Sequence, residues 1–313
     1  MRTRLLPVLA VGLLLPLLGC STAGPSAATT ASASDSVASS HPTEHRTAQR
    51  TTAADTAVTK VLVVVEENHS LSQMRSGMPY TFRLAKKYGY ATRYSAITHP
   101  SLPNYLAIVG GRTFGVTDDA GPAAHPLSGR SVFGQARAHD VTARVYAQSM
   151  PGPCAADNSG DYAVRHNVWA YFADESEACS HDDVALGHLR RDARSGSLPQ
   201  VGMLVPDLAH DAHDGTLGEA DAWFKQAMAP VFAGPDWTSG NLVIVLTADE
   251  DDRHHGNRVL TVVIHPSQSH RVVAKPLTHY SLTRLYDEVA GLPKLAGARR
   301  APSLADAFHL PLG

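Results

Sequence analysis

The chain has 313 residues, with 27 basic against 29 acidic side chains and a formal charge of −2. That balance excludes a protein held on nucleic acid by phosphate contacts, which needs a clear basic excess. Seventeen histidines are the compositional outlier, and they point toward proton transfer or metal ligation as well as ordinary surface positions.

The chain opens with Arg2 and Arg4, followed by an apolar run ending in Leu17-Leu18-Gly19-Cys20. This run is short for a membrane span and has the length of a signal-peptide core. Its end looks like a bacterial lipobox, so residues 1–20 are expected to be a lipoprotein signal with Cys20 lipidated. Residues 21–60 are rich in Ser, Thr and Ala and poor in large apolar side chains. They cannot bury enough surface to offset chain entropy and are expected to form a disordered tether. Residues 61–313 then make one folded domain. This organisation predicts an extracytoplasmic protein, monomeric and attached to the bacterial cell membrane through lipid alone. Cys154 and Cys179 are the remaining cysteines, and outside the cytoplasm a disulfide between them is expected.

Within the body, the β-branched runs at 61–65, 200–205, 241–247 and 259–264 read as buried parallel strands. Helical patterns cover 80–88, 131–139, 219–232 and 279–291, the last starting after Thr278 as N-cap. Strands alternating with helices predict a doubly wound α/β fold, a mostly parallel sheet with helices on both faces. Ligands of such sheets bind beyond the carboxyl ends of the strands. Three strand ends deliver acids there: Glu66-Glu67-Asn68-His69, the segment 207–214, and Asp249-Glu250-Asp251-Asp252. Carboxylates gathered on one rim repel one another unless a cation neutralises them, which points to a divalent metal. Ser101, between Pro100 and Pro103, sits where a helix is about to start, so its hydroxyl would lie near N–H groups suited to phosphate.

Seven blocks occur in order: Val65-Glu66-Glu67-Asn68-His69-Ser70, His99-Pro100-Ser101-Leu102-Pro103-Asn104-Tyr105, Tyr162-Ala163-Val164-Arg165-His166-Asn167, Val205-Pro206-Asp207, His213-Asp214, Thr247-Ala248-Asp249-Glu250-Asp251-Asp252 and His279-Tyr280-Ser281-Leu282. Together they resemble the bacterial phosphoesterase family of acid phosphatases and phospholipases C, within the alkaline-phosphatase-like superfamily. The resemblance implies that Ser101 is the nucleophile and that Glu67, Asn68, Asp249, Glu250 and the Ser101 oxygen hold one divalent ion. It implies that Asn104 holds a phosphoryl oxygen and that His166, Asn167, His213 and His279 belong to the phosphate pocket, with His213 or His279 protonating the leaving alcohol. Asp207 stands where the family commonly has Asn, and His210-Asp211 where it commonly has Asn-Asp; Asp207, Asp211 and His213 are candidates for a second ion. Ala248 stands where the family usually has Trp, and Val168-Trp169 follow Asn167 in place of Pro-Phe.

The implied substrate is a phosphate ester. The leading expectation is a metal-dependent phosphomonoesterase working through phosphoserine. Two alternatives are a phosphodiesterase or phospholipase C acting on lipid headgroups, and a non-catalytic lipoprotein that binds phosphorylated ligands. His254 and His255 beside Asp251 and Asp252 read as a solvated loop.

Overall fold

The structure, a computed structural model, describes residues 52–313; the expected signal segment with Cys20, and the expected tether as far as residue 51, lie outside the described residues. The strands there are β1 Lys60–Glu66, β2 Gly89–Ala91, β3 Tyr94–Ser95, β4 Ala143–Ala147, β5 Asp183–Ala185, β6 Val201–Val205, β7 Leu242–Ala248, β8 Thr261–Ile264, β9 Arg271–Val273 and β10 Leu277–Thr278. Eight of them form one sheet in the order β5-β4-β6-β1-β7-β8-β2-β9, while β3 pairs with β10 separately. Central β1, β6 and β7 are buried along almost their whole length. Packing on both faces is why these segments read as largely continuous apolar runs rather than as alternating patterns.

The sheet is parallel except at β8, which runs antiparallel to both β7 and β2. The expectation of a parallel strand at 259–264 is therefore corrected. A parallel return needs a crossover, usually helical, and the 249–260 connection contains none. Helices Pro79–Lys87, Val132–Arg137, Leu217–Phe232 and His279–Val289 occupy the four expected positions. Thr278 is the N-cap of the last, with a capping box completed by Ser281. Short β4 and β5, with their helices, extend the sheet beyond the elements legible in the sequence.

The folded body begins before residue 61. Val58 is buried and bridges to Leu312, and the N–H groups of Thr59 and Lys60 donate to the Asn241 carbonyl. The Lys60 ammonium lies 2.6 Å from Asp236 Oδ1. Cys154 and Cys179 form the expected disulfide.

Candidate active site

The pairing of β1 with β7 sets Glu66 opposite Ala248, so the residues that follow, Glu67 and Asp249, leave neighbouring strands at one level. Asn68 then takes a left-handed conformation, φ 52°, which asparagine tolerates better than most residues. Its backbone N–H donates to Asp249 Oδ1 at 3.1 Å, tying the two strand ends together.

Ser101 is the first residue of the helix Ser101–Gly110, which follows the extended Pro100. Its Oγ donates to Glu67 Oε2 at 3.0 Å, and only 3% of the residue is exposed. At this helix start the Leu102 N–H is already taken by Asp119 Oδ1 at 2.9 Å. The hydroxyl opens into a cleft of about 340 Å³ lined also by Asn68, Asp119, His213, Glu250 and Arg253.

Beneath this cleft lies a buried polar cluster. His166 stands 3.2 Å from Glu67 Oε1 and 2.9 Å from Asp211 Oδ2, with its ring stacked on Tyr105. Glu67 Oε1, Asn68 Oδ1, Asp211 Oδ2, Asp249 Oδ2 and both His166 nitrogens are buried without an aligned hydrogen bond. Burial, then the Asp249 and Asp211 carboxylates, hold Glu67 well above the usual carboxylate range. Burial followed by Glu250 does the same to Asp249. Ala212, between Asp211 and His213, is buried at φ 71°, a conformation costing about 1 kcal/mol or more for a residue with a Cβ. That strained turn directs Asp211 inward while His213 reaches the cleft.

Buried carboxylates gathered this closely, each with one oxygen lacking an aligned hydrogen bond, cost several kcal/mol unless a cation or protons neutralise them. An oxygen-rich donor set with one imidazole suits a divalent cation. Glu67, Asn68 and Asp249 therefore offer oxygens that fit a divalent cation, with His166 Nε2 on the Glu67 side, while Asp211 faces the opposite ring nitrogen, Nδ1, and orients the imidazole.

Several expected roles are corrected by the geometry. Asn104 is buried, with Oδ1 accepting from the Ile97 and Thr98 N–H groups and Nδ2 donating to Thr98 O, Pro100 O and Glu250 Oε2. Its amide shapes the loop before Ser101 and is not free for a phosphoryl oxygen. Glu250 lines the cleft but is held by Asn104 and by His99 Nδ1 at 2.9 Å; burial pushes it up to about 8. Asn167 lies elsewhere, with Nδ2 donating to Asp183 Oδ2 at 2.7 Å beside the disulfide. It steadies that region and does not line the cleft.

His279 is fully buried. Its Nε2 is 2.6 Å from the Asp249 carbonyl and its Nδ1 is 3.1 Å from the Tyr94 hydroxyl. The carbonyl can only accept, so Nε2 carries the proton, and burial pushes the ring down to about 4. Both nitrogens are engaged, so His279 positions Asp249 and is not placed to protonate a leaving group. His213 does line the cleft, with Nδ1 2.6 Å from Asp214 Oδ1 and Nε2 3.0 Å from the Arg165 guanidinium.

Nor do the proposed second-ion residues gather. Asp207 is taken by Ser149 Oγ and His210 Nδ1, both at 2.6 Å, whereas Asp211 turns toward His166. Asp251, Asp252 and His255 do offer donor atoms within 4.8 Å of one another. Asp251, however, is buried and accepts from the N–H groups of Arg253, His255 and Asn257, so it organises the loop. Sequence reasoning assigned no role to His99, which bridges Glu250 and Asp251 Oδ1, to Asp119 or to Arg253. His99 lies two residues before Ser101, within the 99–105 motif; the other two carry no sequence signal.

The chain matches the model of the Phosphoesterase family over residues 24–293. It is 29% identical over 253 residues to a phosphatidylinositol-3-phosphatase of Mycobacterium tuberculosis, covering 79% of this chain and 81% of that one. It is 28% identical over 247 residues to a phosphate-repressible acid phosphatase of Penicillium chrysogenum, covering 72% of this chain and 58% of that protein. The chain thus spans a little over half of the fungal enzyme. A solved alkaline-phosphatase-superfamily structure from Vibrio parahaemolyticus superposes with a TM-score of 0.54 at 10% identity, covering 82% of this chain and 73% of that one; this likeness concerns the fold.

Proposed function

The chain belongs to the Phosphoesterase family, and from that membership and the site geometry we propose a metal-dependent phosphomonoesterase that works through a phosphoserine on Ser101. The observation that carries this reading is the Ser101 hydroxyl, at a cleft and a helix start, hydrogen-bonded to Glu67 within a cluster of buried carboxylates.

Glu67, Asn68 and Asp249, with His166 through Nε2, would hold the ion, and Asp211 on Nδ1 would orient that ring. A divalent cation bound there would neutralise the carboxylates and lower the pKa of the Ser101 hydroxyl. Glu67 Oε2 orients the hydroxyl and lies within reach of its proton. The Ser101 Oγ–P bond forms as the bond from phosphorus to the ester oxygen breaks, and Glu67 takes the Ser101 proton. Water in the cleft protonates the departing alcohol, because His213 Nε2 accepts from Arg165 while Nδ1 faces Asp214. Water then attacks the phosphoserine and releases phosphate. The Arg253 guanidinium at the rim complements charge on the phosphoryl oxygens, the main electrostatic task of this reaction. Asn104, His99 and His279 hold Glu250, Asp251 and the Asp249 backbone in place.

The monoester reading agrees with the names of both relatives, a phosphatidylinositol-3-phosphatase and an acid phosphatase. In this proposal the protein is extracytoplasmic and lipid-anchored through Cys20. Turnover of p-nitrophenyl phosphate exceeding that of bis(p-nitrophenyl) phosphate and phosphatidylcholine, abolished by chelator and restored by metal, is the expected result. Preference for either diester would favour the phospholipase alternative. No turnover of any ester by protein shown to contain metal would favour the binding alternative.

A further inference from the structure

The charge of this near-neutral chain is unevenly distributed. Residues 68–117 contain no Asp or Glu and six Lys or Arg, and residues 253–286 contain none and five. The fold brings these acid-free stretches together, because β2 pairs with β8 on one side and with β9 on the other. The helix Pro79–Lys87 packs over this corner against β8 and the helix Leu217–Phe232.

On that corner the cations sit over aromatic rings. Arg75 and Lys86 lie 5.3 and 5.6 Å from the Phe82 ring, Arg83 and Lys225 lie 5.6 and 5.8 Å from Tyr80, and Lys87 lies 4.8 Å from Tyr88. All five cations are exposed, and none forms an ion pair among the described residues. Phe82 packs edge-on against Tyr90, and Tyr90 stands in register with Val272 on edge strand β9. Val272 is 56% exposed, the one large hydrophobic residue classed as exposed among the described residues. The neighbouring Asp221 is buried beneath the helix start, its oxygens accepting from the Tyr80 and Thr81 N–H groups, so its charge lies below the exposed cations and pairs with none of them.

We propose that this face, formed by the helix Pro79–Lys87 with β2 and β9, docks on an anionic phospholipid bilayer. Half-buried aromatics beneath unpaired Lys and Arg, beside an exposed aliphatic side chain, have the composition of a surface that settles among lipid headgroups. Uncompensated positive charge complements an anionic leaflet and repels a second copy of the same face, which disfavours self-association as its use. The described helices include none long and apolar enough to cross a membrane, so contact is peripheral. None of these residues lines the catalytic cleft, and the inference stands whether or not the catalytic proposal holds.

The test uses the full chain with phosphatidylglycerol-containing vesicles and with pure phosphatidylcholine vesicles, by cosedimentation and amide hydrogen exchange. Phosphatidylglycerol should strengthen binding, and exchange should slow over residues 79–90 and 270–273. The combined variant Arg83→Gln, Lys86→Gln, Lys87→Gln should weaken that anionic increment on the order of 100-fold, about fivefold per cation. Val272→Asp should weaken it independently, with unchanged melting temperatures showing that both variants remain folded. Contributions from the N-terminal segment are common to all variants and cancel. Equal binding by wild type and the triple variant, or no exchange change in those segments, would overturn the proposal. So would full competition by polyglutamate combined with indifference to Val272→Asp, which would identify an acidic-polymer surface instead.

Discussion

The Ser101 hydroxyl donates to Glu67 Oε2 at 3.0 Å, joining the residue at a helix start to the residue just beyond β1. Glu67 is fully buried, and burial with neighbouring carboxylates holds its pKa well up, so the ionised form is unfavourable without a cation. Glu67→Gln should therefore lower kcat by at least on the order of 100-fold, the scale of losing a positioned proton acceptor. In the metal-free protein the same variant should melt no lower than wild type, because one repelled carboxylate is gone. Steady-state kinetics and thermal melts with and without metal check both signs.

Asp119 holds the Leu102 N–H at the start of the Ser101 helix, where a substrate phosphate would also find favourable partial charge. The carboxylate is exposed and competes with an incoming anion for that place. Asp119→Asn should reduce KM and the inhibition constant for inorganic phosphate by about fivefold, as expected for relief of roughly 1 kcal/mol of surface repulsion. Its kcat should be largely unchanged. A higher KM in the variant would show that Asp119 assists binding.

His279 reaches the Asp249 carbonyl from below the cleft, with its other nitrogen on Tyr94. His279→Gln should lower kcat by about 10- to 100-fold, the range for partners that orient metal-site residues. The pH–rate profile should keep both limbs. Disappearance of one limb would return His279 to the leaving-group role.

Stability should depend on pH through carboxyls remote from the cleft. Burial pushes Asp183 up to about 8 and Asp287 up to about 7. An unfolded Asp titrates near 3.9, so between about pH 4 and the folded value the unfolded chain binds fewer protons. The stabilisation is complete below that window and is lost as pH rises through it. His279, pushed down to about 4, acts in the opposite sense, with stability lost as pH falls from about 6.5 toward 4. Denaturant titrations of Asp183→Asn should show a shallower loss of stability from pH 5 to 8 than wild type, by up to about 1.4 kcal/mol per pH unit.

The positions of Glu67, Asp249 and Ser101 were legible in the sequence because each carries a local signature: an acid after an apolar run, or a serine between prolines at a helix start. The disulfide was legible from cysteine count and the expected compartment. Asn104, Asn167 and His279 show where such reading stops. Their residue types suit a phosphate pocket, but their roles depend on which groups lie across the fold, and each amide or ring is consumed by internal hydrogen bonds. Antiparallel β8 was misread for a related reason, since a buried Val-rich run has the same appearance whichever way it runs. Asp119 and His99 gain significance only when the loops close around Ser101.

The central claim is that Ser101 is the nucleophile. Acid-quenched turnover of p-nitrophenyl phosphate by the metal-loaded protein, followed by mass analysis of the Ser101 peptide, tests it most directly. The expected result is phosphate on Ser101, formed as fast as p-nitrophenol is released in the first turnover, with no turnover by Ser101→Ala. Undiminished turnover by Ser101→Ala, with no phosphorylated peptide from wild type, would contradict it.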